Sequence, residues 1–195
     1  MVSFEQELKK YFSDNKITFE DNSSSLNKMD FTIKGLFAKD FHIDAKEKRQ
    51  KINTKNWPLI SDKDEPFTCI IDDLAARKAV AYAPRSGMIV RDNLTGSYYW
   101  FSILDLFLMP KIRVNRKIRN NILTYKGKWL IDFRNGTKTD TLTDLMKKIK
   151  DEDRELLLKF TQNLECYGTY YGEKIVLQGE TRNPEHWNID IKGTR

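Results

Sequence analysis

The chain has little cysteine and little histidine, with two residues of each among 195. Cys69 and Cys166 lie far apart and form no CxxC or Cys/His pattern, so a zinc site or a redox pair is disfavoured and ordinary reduced thiols are expected. His42 and His186 form no cluster, and histidine-centred metal chemistry has no support. The absence of GxSxG and GxxxxGK motifs disfavours serine hydrolases and P-loop nucleotide motors.

Long apolar runs are also missing. The longest one, around Tyr98–Met109, is interrupted by Ser102 and Asp105 and is too short to span a bilayer. The N-terminal segment MVSFEQELKKYF mixes acids and bases on an amphipathic pattern, unlike the apolar core of a signal peptide. We therefore expect a cytoplasmic protein without a membrane segment.

Charged residues, by contrast, are abundant. They make up 32% of the sequence, with 34 Lys and Arg against 28 Asp and Glu, which gives a formal net charge of +6. A positive surface field raises the local concentration of polyanions such as DNA and RNA. Together with 39% hydrophobic residues, the length predicts a single globular domain over residues 1–195.

The spacing of apolar residues predicts an α/β (α+β) fold, with a mixed central β-sheet flanked by helices. Helical spacing of Phe4, Leu8 and Phe12 after the potential N-cap Ser3 is typical of a first helix. The predicted helices are Ser3–Phe12, Pro66–Tyr82 and Leu142–Leu164. The predicted strands and β-like segments are Ile17–Phe19, Met29–Leu36, Phe41–Lys46, Met88–Arg91, Tyr98–Leu104, Trp129–Phe133 and Tyr167–Gln178.

The residues with the clearest chemistry are Asp30, Asp44 and Lys46. Asp30 lies at the start of one predicted strand, and Asp44 and Lys46 lie two residues apart on the polar face of the next. Phosphodiester hydrolysis needs a divalent cation to neutralise the phosphate and to activate water, and carboxylates are the oxygen ligands that Mg²⁺ prefers. If the two strands form a hairpin, these three side chains converge on one metal site.

These residues resemble the signature of the PD-(D/E)XK nuclease superfamily. Asp30 in KMDFTIKG is followed, after the thirteen residues 31–43, by Asp44-Ala45-Lys46 in FHIDAK. The order of predicted elements in the N-terminal half is also similar to that superfamily. Met29 stands where the motif's name has proline. The resemblance implies a restriction-endonuclease-like nuclease core over 1–108, with 109–195 as a basic and C-terminal extension packed on it.

The resemblance also implies roles for individual residues. Asp30 and Asp44 would hold Mg²⁺ or Mn²⁺, and Lys46 would orient the attacking water or stabilise charge on the phosphate. Several members carry an acid on the first helix, so Glu5 is a further candidate metal ligand, with Glu7 as its rival. Two polar neighbours, His42 and Gln50, are weaker candidates. Small members act as dimers or in larger nucleoprotein assemblies, and a homodimer would cut both strands of a DNA duplex.

The most concentrated basic segment lies between Asp105 and Asp132, where there is no acid. Lysines and arginines alternate there with Ile, Val and Tyr, which suits contact with a phosphate backbone. A solvated surface is an equally good interpretation. The candidate nucleic-acid-binding residues are Lys111, Arg113, Arg116, Lys117 and Arg119.

Interpretations without catalysis stay open. A DxK pattern alone fits a solvated strand face. The chain fits a non-catalytic nucleic-acid-binding or assembly subunit that keeps the nuclease fold, or a protein-interaction subunit whose basic face meets an acidic partner. The aromatic residues Trp57, Tyr98, Tyr99 and Trp100 suit base stacking or ordinary core packing.

Overall fold

The computed structural model describes residues 2–37, 39–53, 57, 65–118 and 121–161, with side chains for these except at 65, 117, 118, 121–124 and 154–161. The described chain contains four α-helices and nine β-strands. The helices are α1 Phe4–Asp14, α2 Asp73–Ala81, α3 Ile103–Leu108 and α4 Leu142–Thr161. The strands are β1 Thr18–Asp21, β2 Phe31–Lys34, β3 Phe41–Lys48, β4 Thr68–Asp72, β5 Ser86–Asp92, β6 Ser97–Ser102, β7 Ile112–Ile118, β8 Asn121–Asp132 and β9 Thr137–Thr139.

The strands form two sheets. Six form a central sheet in the order β1-β2-β3-β5-β6-β9, and three form a smaller sheet in the order β4-β8-β7. The central sheet is mixed, because β3 and β5 run parallel whereas β2–β3 and β5–β6 are antiparallel. This confirms the predicted α/β (α+β) class with a mixed central sheet flanked by helices.

Alternate residues of the central sheet face two different cores. Ile43 of β3 and Ile89 of β5 belong to the core closed by α1 and α4. Met88 and Val90 of β5 belong to the core closed by α2, α3, β4 and β8. Since successive side chains of a strand point to opposite faces, the central sheet separates these two layers.

Helix α1 begins at the predicted N-cap. The Ser3 hydroxyl accepts a hydrogen bond from Gln6 N, and the Gln6 side chain accepts one from Ser3 N, both at 3.3 Å. This capping box satisfies amide groups that have no partner within the helix. Phe4, Leu8 and Phe12 are buried in the core with the sheet. The predicted first helix is therefore confirmed, and it extends to Asp14.

Both predicted hairpins are present, with small shifts of their ends. The first is β2–β3, and the second is β5–β6. Gly96, in the turn before β6, has a φ of 76°, a backbone conformation that glycine adopts without strain. The predicted strand Ile17–Phe19 overlaps β1, and Trp129–Phe133 overlaps the end of the much longer β8.

The predicted helix Pro66–Tyr82 is wrong over its first part. Pro66 lies in a short 3₁₀ turn, and β4 precedes α2. Ile70 and Ile71 stand at helical spacing from Leu74, yet both pair with β8 in the smaller sheet. The strand passes into the helix without an intervening loop, so the apolar pattern is continuous across two different elements.

Residues beyond 108 contribute to both sheets. Strand β9 pairs with β6 of the central sheet, and β8 pairs with β4 of the smaller one. Helix α4 confirms the predicted helix Leu142–Leu164 as far as Thr161, whereas the β-like segment Tyr167–Gln178 lies outside the described residues. None of the described helices is both long and apolar enough to cross a membrane.

Candidate active site

Asp30 and Asp44 lie opposite each other across the first hairpin. Phe31 of β2 pairs with Ile43 of β3, so the residue before Phe31 faces the residue after Ile43 in this antiparallel register. One carboxylate oxygen of Asp30, Oδ2, accepts a hydrogen bond from Ala45 N at 2.9 Å. That bond holds the Asp30 carboxylate against β3.

Lys46 joins the two acids. Because side chains alternate along β3, Lys46 points to the same face of the sheet as Asp44. Its Nζ lies 2.7 Å from Asp44 Oδ2 and 3.8 Å from Asp30 Oδ2. The structure therefore brings the three predicted side chains to one place, which we call the acid–lysine site.

Asp44 is the most enclosed member of the acid–lysine site. Its side chain is 0% exposed, and neither carboxylate oxygen has a hydrogen-bond partner among the described residues. The Lys46 ammonium is its ionic partner, 2.7 Å from Oδ2. Buried carboxylates usually accept several hydrogen bonds, because desolvation without them is costly. Among the described residues only lysine side chains pair with the oxygens of Asp44, so this carboxylate is suited to a cation.

The surroundings of the site shift the pKa of Asp30 and that of Lys46. Burial, and then the neighbouring charge of Asp44, raise the pKa of Asp30 above its ordinary value of 3.8. Burial alone would lower the pKa of Lys46, but the carboxylates of Asp44 and Asp30 outweigh it, and the pKa of Lys46 is raised. Lys46 is consequently a fixed positive charge at neutral pH.

A second lysine reaches Asp44 from α2. Lys78 Nζ lies 3.4 Å from Asp44 Oδ1 and donates a hydrogen bond to Lys28 O at 2.7 Å. Only 13% of the Lys78 side chain is exposed. The sequence-based site did not include Lys78, although a signal was present: Lys78 interrupts the apolar stripe of its helix, where a buried charge needs a partner.

The structure does not bring Glu5 or Glu7 to the acid–lysine site. Helix α1 packs on the opposite face of β3, in the core that contains Ile43 and Ala45. Glu5 lies in the first turn of this helix, where an acid is favourable toward the helix dipole. A role for Glu5 as a metal ligand has no support from this placement.

Glu7 belongs instead to an ion cluster on the α1 face, formed by Glu7, Glu47, Arg91 and Tyr98 and here named the anchor cluster. Arg91 of β5 donates hydrogen bonds to Glu7 of α1 and to Glu47 of β3. The Tyr98 hydroxyl donates to Glu7. Glu47 also accepts from Phe4 N at 2.9 Å. The anchor cluster therefore ties the start of α1 to three strands of the central sheet.

The two weaker candidates are His42, which lies on β3, and Gln50, which lies just beyond its end. His42 shares the face of Asp44; its Nδ1 is 3.2 Å from Thr32 Oγ1, and its ring centroid is 4.2 Å from that of Tyr82. Burial lowers the pKa of His42, so its imidazole is neutral at neutral pH. Gln50 follows the end of β3 and is exposed.

Among the candidate nucleic-acid-binding residues, Lys111 caps the C-terminal end of α3. Its Nζ donates to three backbone carbonyls at the end of α3, those of Leu106, Phe107 and Met109, at 3.0, 2.9 and 3.3 Å. Carbonyl groups in the last turn of a helix have no partner within the helix, and a lysine stabilises them. Burial, followed by the nearby charge of Arg113, lowers the pKa of Lys111.

The other described candidates lie on β7. Arg113 pairs with Asp73 at 2.9 Å and is 61% exposed. The Arg116 guanidinium lies 3.7 Å from the ring centroid of Trp57, in a cation–π contact. The side chain of Lys117 and all of Arg119 lie outside the described residues.

Asp72 forms ion pairs with the β7–β8 hairpin, and its charge also acts on Lys46 of the acid–lysine site. It lies at the end of β4, where it pairs with Lys126 at 2.8 Å and with Lys128. Its charge also contributes to raising the pKa of Lys46.

The donor set of the acid–lysine site fits a magnesium-like cation. In the part of the chain that the structure describes, no group of three or more His, Cys, Asp or Glu side chains is placed to hold a metal ion. Mg²⁺ does not require such a cage, because it is usually bound by one or two carboxylates, with water and substrate phosphate completing its octahedral shell. The carboxylates of Asp30 and Asp44 meet that requirement.

Comparisons with known proteins show remote similarity only. No protein-family model matches the chain, and no curated protein matches it. The Holliday junction resolvase Hjc of Archaeoglobus fulgidus is similar at a TM-score of 0.39 and 10% identity, over 68% of this chain and 93% of the resolvase. D212, a nuclease from a fusselovirus, is similar at a TM-score of 0.41 and 14% identity, over 77% of this chain and 88% of D212. Similarities this remote assign neither a fold family nor an activity to the chain.

Proposed function

We propose that the chain is a Mg²⁺- or Mn²⁺-dependent DNA endonuclease of the PD-(D/E)XK type, with a restriction-endonuclease-like core whose site-bearing strands lie within residues 1–108. The observation that carries the proposal is the convergence of Asp30, Asp44 and Lys46 on one face of the first hairpin. The oxygens of Asp44, which lack hydrogen bonds from any described group, support a cation at this point.

Each residue of the acid–lysine site has a role in this proposal. Asp30 and Asp44 hold the divalent cation, which when bound neutralises the scissile phosphate and lowers the pKa of an attacking water. The hydrogen bond from Ala45 N orients Asp30 before the cation arrives. Lys46 keeps its proton and places a fixed positive charge where negative charge develops on the phosphate.

The β7–β8 hairpin guides the DNA backbone in this proposal. Asp72 pairs with Lys126 of the hairpin and its charge also acts on Lys46. Arg113, which is 61% exposed, offers positive charge on the same hairpin. Phosphate contacts of this kind position a duplex without reading its sequence. A homodimer would present two such sites and cut both strands.

The experiment that tests the function is cleavage of supercoiled, linear, single-stranded and branched DNA with Mg²⁺ or Mn²⁺. Wild type is compared with Asp44→Asn and Lys46→Ala, and Lys34→Ala on the neighbouring strand serves as the matched control because its side chain is 42% exposed and pairs with Glu20. We expect metal-dependent cutting by wild type and by the control, and a loss of roughly 10²- to 10³-fold in rate for both site variants. Cutting that survives in both site variants would contradict the assigned site.

One observation favours a second function, a non-catalytic nucleic-acid-binding subunit. Lys46 and Lys78 both contact Asp44, so the buried charge already has counter-ions in the protein itself. Such a subunit would bind DNA with strong salt dependence, because Lys and Arg displace counter-ions from phosphates. It would neither bind Mn²⁺ nor cut DNA, and these two measurements distinguish it from the nuclease.

A further inference from the structure

Two lysines approach the two oxygens of a single buried carboxylate. Lys46 Nζ is 2.7 Å from Asp44 Oδ2, and Lys78 Nζ is 3.4 Å from Asp44 Oδ1. They come from different elements, β3 and α2. The position of Lys78 therefore depends on how α2 packs against the sheet and not on the D-x-K spacing within the strand.

The charges of the four groups cancel. Asp30 and Asp44 carry two negative charges, and Lys46 and Lys78 carry two positive ones. A divalent cation added to this balanced site leaves an excess of two positive charges. In the hydrolysis, a water gives up a proton to solvent and the resulting hydroxide forms a bond to phosphorus, so the former monoanion becomes a five-coordinate group with two negative charges in total. The bond from phosphorus to the leaving sugar oxygen then breaks, and that oxygen takes up a proton from solvent. Without Lys78, the site with its divalent cation would have an excess of only one positive charge. That is one too few to balance the two negative charges of the phosphorus group.

Lys78 has a second attachment that does not involve Asp44. Its Nζ donates to Lys28 O at 2.7 Å, two residues before Asp30. An ammonium group has three donors, so this bond leaves donors for an anion. Lys78 can therefore exchange the Asp44 carboxylate for another anion while its head group stays beside the site.

We propose that Lys78 is the second cationic residue of the acid–lysine site: it balances the charge of Asp44 before the divalent cation binds, and it contacts the scissile phosphate once the cation has taken Asp44. The inference rests on the proposed nuclease function. It adds a residue from α2 that acts on the substrate, whereas the strand motif accounts only for Lys46.

The test measures metal binding and catalysis separately, in Lys78→Met, Lys78→Arg and wild type. Lys10→Met is the matched control, because Lys10 is also a helical lysine paired with an aspartate but is 77% exposed. Mn²⁺ affinity is measured by calorimetry without DNA, and cleavage is measured as a single-turnover rate at saturating metal and DNA. We expect Lys78→Met to bind Mn²⁺ about tenfold more tightly, because a competing cation is gone, and to cleave roughly 100-fold more slowly.

Lys78→Arg keeps the charge but holds a carboxylate more firmly than lysine does. It should therefore cleave faster than Lys78→Met while binding Mn²⁺ no more tightly than wild type, which a purely structural role would not predict. Lys10→Met should match wild type. Mn²⁺ binding by Lys78→Met that equals or is weaker than that of wild type, or cleavage at the wild-type rate, would overturn the inference. Should Lys78→Met fold poorly by thermal denaturation, Lys78→Gln takes its place in the same comparison.

The outcome for wild type separates this inference from the proposed function. A wild-type protein that neither binds Mn²⁺ nor cuts DNA overturns the nuclease function and the inference together. A wild-type protein that cuts, combined with an unaffected Lys78→Met variant, overturns the role of Lys78 alone.

Discussion

Two acids of the same strand have opposite surroundings on the two faces of the central sheet. Glu47 of the anchor cluster accepts hydrogen bonds from Arg91, from Phe4 N and, at 2.6 Å, from Arg49. Asp44, three residues earlier, is more deeply buried, yet in the described structure its oxygens have ionic contacts with lysines and no hydrogen bonds. Glu47, the less buried of the two acids, is therefore the one whose carboxylate accepts hydrogen bonds.

The type of cationic side chain differs between the two acids: Glu47 pairs with arginines and Asp44 with lysines. Arginine presents a rigid, planar set of donors that matches a carboxylate, and such pairs are difficult to displace. Lysine is a compact point charge with rotatable donors, so its partners exchange easily. The anchor cluster therefore contributes to the stability of the fold, whereas in the nuclease that we propose the lysine partners of Asp44 give way to another cation.

The largest expected effect on stability comes from breaking the anchor cluster. Arg91→Met leaves Glu7 and Glu47 without their shared counter-charge, and we expect the free energy of unfolding to fall by about 3 kcal/mol. Urea denaturation measures this change. Lys10→Met, which removes an exposed pair one turn apart on α1, should cost less than about 0.5 kcal/mol. Equal, small losses in the two variants would show that the anchor cluster is no more than a surface pair.

A smaller effect should separate the two clusters by their response to metal. At a Mn²⁺ concentration roughly ten times its Kd, binding to the folded state alone raises the free energy of unfolding by about 1.4 kcal/mol. We expect the corresponding rise in Tm in wild type and in Glu47→Gln, and none in Asp44→Asn. Thermal denaturation with and without Mn²⁺ measures it. A metal-induced rise that persists in Asp44→Asn would place the cation elsewhere.

The smallest expected effect is on the pH dependence of stability, where the two clusters differ in sign. Burial works against ionised Glu47, but Arg49 and Arg91 hold its pKa below the ordinary 4.5. Its contribution is therefore present above pH 4.5 and is lost as the pH falls through the lowered value. Burial and Asp44 raise the pKa of Asp30 above 3.8, so its contribution to stability declines as the pH rises from 3.8 through the raised value.

Denaturation between about pH 3 and pH 6 tests this difference in sign. Glu47→Gln should make the loss of stability in acid shallower, because one acid-sensitive contribution is removed. Asp30→Asn should make the loss of stability in acid steeper. Protonation of Asp30 stabilises the folded state as the pH falls, and the variant lacks this contribution. Changes of the same sign in the two variants would contradict the assignment.

Local patterns predict most of the central sheet and the first hairpin of the site. Alternation of apolar and polar residues places Asp44 and Lys46 on one strand face, and the capping residue Ser3 marks the start of α1. Patterns of this kind depend on neighbours within a few residues, so a single sequence is sufficient to read them.

The smaller sheet and the second lysine could not be predicted in that way. Strand β4 pairs with β8 across about sixty residues of chain, and periodicity carries no information about a partner that distant. The apolar run from Ile70 through Leu74 fits helical spacing, although a strand ends and a helix begins within it. Lys78 is placed at Asp44 by the packing of α2, which depends on both elements.

The anchor cluster also constrains the order in which this chain can fold during synthesis. Glu7 is 84 residues from Arg91 and 91 residues from Tyr98 along the chain. Glu7 consequently lacks both of these partners until the fifth and sixth strands have left the ribosome. Contacts at such separation form late and slow folding, because a long loop must close before they stabilise anything. Helix α1 precedes all nine described strands in the chain, yet its contact with the sheet through Glu7 is among the last to form.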